Sequence, residues 1–288
     1  MKKYITLIFL LAVTVILSAQ NETSTSEQIN EEVPYTKIEK NTFKTVLLIN
    51  SPTVRNARKD QLIFIMSHRF SYLNSGFSDL FGLDNATTRF AFEYGLSEKL
   101  TLGIGRSNYK RNYDLFGKYA LLRQSKGGIN IPLSVSLVQS MNISSAKWPE
   151  NDREYLFAHR LSYSSQLLIA RKFSNKLSLQ LMPTYIHRNL VVGINDQNDV
   201  LSIGAGGRYR LNSWMALTAE YYHLLPGETA NNFANPLSIG LDLETSGHVF
   251  QLFFSNASAV YEAAYIAETT DRWRDGNIRF GFNISRTF

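Results

Sequence analysis

The stretch Asn277-Ile278-Arg279-Phe280-Gly281-Phe282-Asn283-Ile284-Ser285-Arg286-Thr287-Phe288 sets large apolar side chains at every second position against Asn, Arg, Gly, Ser and Thr. A period of two is what a β-strand with unlike faces requires, because successive side chains leave the backbone on opposite sides. Arg286 breaks the apolar register, but close to a strand end its long side chain reaches the interface at little cost.

The alternation continues back through the chain. Phe90, Phe92, Tyr94 and Leu96 oppose Arg89, Ala91, Glu93 and Gly95, and Leu177, Leu179 and Leu181 alternate with Ser178 and Gln180. Leu201, Ile203, Ala205, Tyr209 and Leu211 oppose Ser202, Gly204, Gly206, Arg208 and Arg210; Leu237, Ile239, Leu241 and Leu243 oppose Ser238, Gly240, Asp242 and Glu244. The pattern predicts twelve strands, near 61–70, 87–96, 99–108, 112–123, 131–141, 157–173, 176–188, 199–211, 214–224, 236–244, 247–256 and 277–288. Most have roughly the 9 to 11 residues that a tilted strand needs to cross a bilayer. Short links (97–98, 124–130, 174–175, 212–213, 245–246) alternate with long ones (71–86, 142–155, 189–198, 225–235, 257–276), as in bacterial barrels with short periplasmic turns and long outer loops. Only 109–111 is short where a long loop is due. The expected fold is all-β, a single antiparallel up-and-down transmembrane β-barrel of about 12 strands.

The first residues point to export. Lys2 and Lys3 precede an apolar run from Tyr4 to Leu17, followed by Ser18, Ala19 and Gln20, which predicts a signal peptide over 1–19. That run is too short to span about 30 Å of hydrocarbon, and no later run matches it. Residues 20–42, with Glu22, Glu27, Glu31, Glu32 and Glu39, form an aperiodic acid-rich stretch expected to be a flexible periplasmic tail open to a periplasmic partner. The barrel is then 43–288, in which Phe43 to Asn50 alternates without a clearly polar face and reads equally as an extra strand or a plug.

Composition excludes several classes. With no cysteine, an exported chain has neither disulfides nor an acylated N-terminal anchor. The net charge of +6 is scattered, with no basic run longer than two, so a nucleic-acid partner is not expected. A soluble sandwich or lipocalin-like barrel would also alternate, with its apolar face inward. The Gly- and Ser-rich polar face favours the membrane, as do aromatics near strand ends (Tyr94, Tyr119, Tyr163, Tyr185, Tyr209, Tyr221, Phe280, Phe288). The terminal Phe288 resembles the C-terminal signal by which outer-membrane barrels are handed to their assembly machinery. The implied setting is the outer membrane of a gram-negative bacterium, with its lipid and the assembly machinery as partners. Nothing in the sequence sets an oligomeric state.

Ile65-Met66-Ser67-His68-Arg69-Phe70, Phe81-Gly82-Leu83-Asp84-Asn85-Ala86, Phe92-Glu93-Tyr94-Gly95, Gly103-Ile104-Gly105-Arg106-Ser107, Gln166 to Phe173, His187-Arg188-Asn189-Leu190, Gly247 to Leu252 and Gly281 to Arg286 together resemble an uncharacterised gram-negative β-barrel family, domain of unknown function 5777. The likeness runs from about Phe43 to the C-terminus. It implies the barrel and carries no catalytic or substrate-binding residue.

The polar faces hold the candidate lumen-lining residues Arg89, Glu93, Arg208, Arg210, Glu220, Asp242, Glu244 and Arg279. These either form a charged constriction or pair as salt bridges that fill a closed interior. The five histidines are dispersed without zinc-site spacing; His187 near Asn189 and His248 near Ser246 are only fragments of a hydrolase triad. Gly103-x-Gly105 and Gly204-x-Gly206-Gly207 do not complete a phosphate-loop motif. No catalytic residue, cofactor or metal ligand is therefore expected. A small-solute channel is the leading expectation, ahead of a non-conducting barrel that anchors or scaffolds a partner and of a lipid-modifying enzyme.

Overall fold

Alternation of unlike faces becomes a closed wall in the computed structural model, which describes residues 35–39, 41–148, 150, 154–191, 193, 196–227, 229, 231, 233–245 and 247–288. The expected signal peptide and the tail up to residue 34 lie outside the described residues, as does Ser246. The strands in chain order are β1 (Lys37–Ile38), β2 (Leu62–Tyr72), β3 (Ala86–Gly95), β4 (Leu100–Ser107), β5 (Asn112–Leu122), β6 (Ser125–Lys126) and β7 (Ser134–Ser144). Then follow β8 (Leu161–Lys172), β9 (Leu177–Arg188), β10 (Asp199–Arg210), β11 (Met215–Leu224), β12 (Leu237–Glu244), β13 (His248–Ser255) and β14 (Arg279–Thr287).

All strands except β1 and β6 form a closed twelve-membered barrel. Every neighbouring pair in it is antiparallel, and β14 closes on β2 with Asn283 opposite Ser67 and Thr287 opposite Ile63. The expected fold and strand count hold. The fifth and sixth expected strands begin three and four residues late, at Ser134 and Leu161, the latter because Phe157–Arg160 turns as a 3-10 helix. β1 pairs with β6 across the β5–β7 link, so Lys37–Ile38 is docked backbone.

The faces are inverted relative to a soluble barrel. Phe90, Phe92, Leu102, Ile104, Leu115, Leu181, Leu201, Ile203, Ile239 and Phe254 are exposed on the outside, while Glu93, Lys118, Gln166, Gln180, Glu220, Asp242 and Asn283 are buried within. An apolar band facing outward is stable only against hydrocarbon, which disposes of the soluble sandwich. Tyr94, Tyr119, Tyr163, Tyr209, Tyr221 and Phe288 stand exposed near its edges.

Two insertions occupy the interior. From the short-turn end, residues 41–60 enter, turn back through a tight hairpin (Leu48 N to Ser51 O, 2.8 Å; Thr53 N to Val46 O, 2.8 Å) and return to β2. Phe43, Val46, Leu48, Ile49, Ser51, Thr53 and Ala57 are all buried. The segment open between strand and plug is thus a plug. Its return passes so close to β3 that a Cβ on Gly95 would meet Arg58 O at 1.9 Å, so only glycine fits there. From the long-loop end, the β13–β14 connection folds inward as a helix, Glu262–Ala267, with Ala263, Ala264, Tyr265, Ile266 and Ala267 buried.

Candidate functional site: the filled lumen

The hairpin is seated mainly through polar contacts. Glu220 on β11 accepts from the backbone N–H groups of Asn50 (2.9 Å), Ser51 (3.1 Å) and Ile49 (3.3 Å), and from the Asn50 amide Nδ2 (2.5 Å). Three successive N–H groups around one carboxylate make a concave anion seat, here filled by the wall itself. Gln180 grips the returning limb twice, accepting from Val54 N (3.0 Å) and donating to Pro52 O (2.9 Å). Gln251 Nε2 donates to Leu48 O (2.6 Å), and Asn283 Nδ2 to Ile49 O (2.8 Å). Arg69 donates to Asn50 Oδ1 (2.8 Å) and to Asn283 Oδ1 (3.0 Å), with its guanidinium over the Phe253 ring. Apolar side chains complete the seat, Val46 against Ile63, Ile65 and Ala91, and Phe43 and Leu48 against Ala170.

The inward helix packs differently. Tyr261, Tyr265 and the small residues around them lie against Val138, Leu168, Met182, Ile186, Val200, Tyr222 and Leu224, all on the inner face. Salt bridges hold its trailing end: Glu268 to Lys110 (2.6 Å) and Arg188 (3.7 Å), and Asp271 to Arg279 (2.9 Å). The two insertions touch where Tyr265 OH donates to Ser51 Oγ (3.3 Å) and Ser51 Oγ shares a hydrogen bond with Tyr222 OH (2.8 Å). Next to Asn50 and Pro52 of the hairpin remains a void of ≈ 20 Å³, lined in part by Arg69, Arg89, Glu93 and Glu262, room for about one water.

The eight expected lumen residues do not form one ring. Arg89 pairs with Asp114 through two contacts (3.0 and 2.5 Å), and Glu93 lies 3.7 Å from Lys118, both buried pairs on β3 to β5. Arg208 meets Asp242 (3.5 Å) and Glu244 near the short turns, and Gln251 donates to Asp242 (2.9 Å). Glu220 holds the hairpin, and Arg279 sits at the long-loop rim over the Tyr72 ring. Arg210 is exposed at the end of β10 and donates to Asn212 O (2.9 Å), because its strand ends at the rim. Sequence reasoning missed the partners Asp114, Lys118, Arg69, Asn50, Gln251 and Asn283; the wall residues among them share the inward parity already read, and partner choice depends on stagger between strands.

Glycines on the inner wall make room. A Cβ on Gly103 would meet the Phe116 ring at 2.1 Å, one on Gly204 the Tyr222 ring at 2.5 Å and one on Gly206 the Leu48 side chain at 2.2 Å. His187 meets Asp199 (2.7 Å) at the outer rim, and Asn189 donates to Ala158 O (2.8 Å), so the two side chains have separate partners. Among the described residues, no group of His, Asp and Glu is placed to hold a metal ion. No helix among them is long and apolar enough to cross a membrane.

Against known proteins, the family profile described as membrane bound beta barrel domain (DUF5777) matches residues 43–288. No curated protein matches. Among solved structures, the NanC porin has a TM-score of 0.49 at 12% identity, over 79% of this chain and 98% of that one. The KdgM porin has a TM-score of 0.48 at 8% identity, over 79% and 99%. The outer membrane protein Omp33 of Acinetobacter baumannii has a TM-score of 0.44 at 8% identity, over 81% and 100%.

Proposed function

The chain belongs to the DUF5777 family of membrane-bound β-barrel domains, and from that premise we propose that it is an outer-membrane small-solute channel held shut by its own two insertions. Its short turns then face the periplasm and its long loops the exterior. The observation that supports a channel is the polar seating of the hairpin. Glu220, Gln180, Gln251 and Asn283 are wall groups that water can satisfy once the hairpin withdraws. Exchanging a protein hydrogen bond for a water one costs only about 0.5–1.5 kcal/mol each. A purely apolar seat would leave a dewetted, non-conducting tube.

The second reading, a non-conducting barrel that anchors a partner, is favoured by the occupied lumen itself. Planar-bilayer recording separates the two. Wild type should be silent or nearly so, and a variant combining Glu220→Ala with a Gly-Ser linker in place of residues 259–268 should give discrete conductance steps. Silence of that variant, with folding verified by heat-modifiable gel mobility, selects the anchoring barrel.

A further inference from the structure

Nearly every inward cation of this barrel is neutralised: Arg89 by Asp114, Lys118 by Glu93, Arg208 by Asp242 and Glu244, Arg188 by Glu268, and Arg279 by Asp271. The exceptions are Arg69, which is held by Asn50, Asn283 and the Phe253 ring with no ion-pair partner among the described residues, and a group of three cations at the short-turn end. There a cavity of ≈ 210 Å³ lies between the hairpin and the wall, lined by Lys44, Arg55 and Arg58 from the insertion and by Ser285 and Thr287 from β14, with no Asp or Glu in its lining. None of the three cations has an ion-pair partner among the described residues. Carboxylates on the neighbouring elements have other partners. Glu244, opposite Val249 of the lining, is bound to Arg208, and Glu93, whose field reaches Arg55, faces Lys118. Asp60 accepts from Tyr94 OH (3.1 Å), and Glu98 accepts from Lys59 N (3.3 Å) and faces Arg123.

We infer that this cavity is a binding site for a small oxyanion of the phosphate class. Guanidinium and ammonium donors converge there with the Ser285 and Thr287 hydroxyls, the donor set that such oxyanions select. Burial, and then the charge of Arg58, press the Arg55 guanidinium below its ordinary value, a cost that a bound anion removes. Because Lys44, Arg55 and Arg58 belong to the insertion and Ser285 and Thr287 to the wall, a ligand here bridges the two. The inference does not depend on the channel reading, since a barrel that never opens would bind the anion equally.

The anion is either a free periplasmic solute or the phosphodiester of a lipid headgroup. Calorimetric titration of the full-length protein with sodium pyrophosphate at low ionic strength, in nanodiscs of phosphatidylcholine alone or with phosphatidylglycerol, tests both. Saturable binding of pyrophosphate, and none of glucose, is expected in phosphatidylcholine. Arg55→Gln or Arg58→Gln should each weaken it about tenfold, and Lys176→Gln, on the β8–β9 turn outside the cavity, should leave it unchanged. Competition by phosphatidylglycerol assigns the site to a headgroup, and undiminished binding assigns it to a solute. No binding to wild type, or equal binding to wild type and both arginine variants, overturns the inference. Gel mobility verifies that the variants fold.

Discussion

A carboxylate that faces a polar lumen is satisfied by water or by protein, and Glu220 takes the second course with four donors from the hairpin. Glu220→Gln removes the charge and sets an NH₂ against backbone N–H groups. It should loosen the hairpin by about 2–3 kcal/mol, seen as faster amide exchange at Ile49 to Ser51 while the strands stay protected. Asp114→Asn tests another residue-scale effect. It strands Arg89 in the interior and should cost about 3–5 kcal/mol in urea unfolding, whereas replacing both by well-packed apolar residues should cost much less. The inward placement of Arg89, Glu93 and Glu220 was legible from parity alone. That Glu220 serves the plug was not, because its partners lie about 170 positions away, at Asn50 and Ser51.

At the scale of elements, the strands were legible because hydrocarbon on one side and polar groups on the other impose an alternation that tolerates little exception. The insertions were not, because a segment surrounded by protein needs no period. Phe43 to Asn50 is buried apart from the exposed Lys44 and the half-buried Leu47, and Glu262–Ala267 resembled an ordinary stretch of outer loop. A signal did exist. Val138, Leu168, Met182, Ile186 and Leu224 put apolar groups on the inner face of strands whose other inner positions are mostly polar, and each packs in the cluster around the helix. The inward helix and the docked β1 segment also differ in how they answer to pH. Burial pushes Glu262 up, against the pull of Arg89. A carboxyl raised on folding contributes most below its unfolded pKa, and that contribution is lost as pH rises through the folded value. Glu262→Gln should therefore raise the melting temperature at pH 7 and flatten its pH dependence above about pH 4.5. Glu39 behaves oppositely. Its hydrogen bond to Lys172 holds it below the ordinary value, so docking of β1 is supported above the unfolded carboxylate pKa and lost as pH falls through the folded one. The Ile38 amide resonance should shift toward a free-chain position below about pH 4, and Glu39→Gln should show the shift already at neutral pH.

In the molecule as a whole, the two insertions come from opposite ends and meet through the hydroxyls of Ser51, Tyr265 and Tyr222. They should accordingly be coupled. A double-mutant cycle of Ser51→Ala and Tyr265→Phe, read by thermal unfolding, should give an interaction energy of about 0.5–1 kcal/mol, and strict additivity would mean that each stopper is held by the wall alone. The hairpin is also fastened at both ends, by β1 on β6 before it and by β2 after it. Such a segment is a leash of about twenty residues that never leaves the mouth it blocks, so its local concentration there stays near the millimolar range. Any opening should then be a brief flicker ended by recapture, and cutting the leash on the β1 side should lengthen each opening without changing its amplitude.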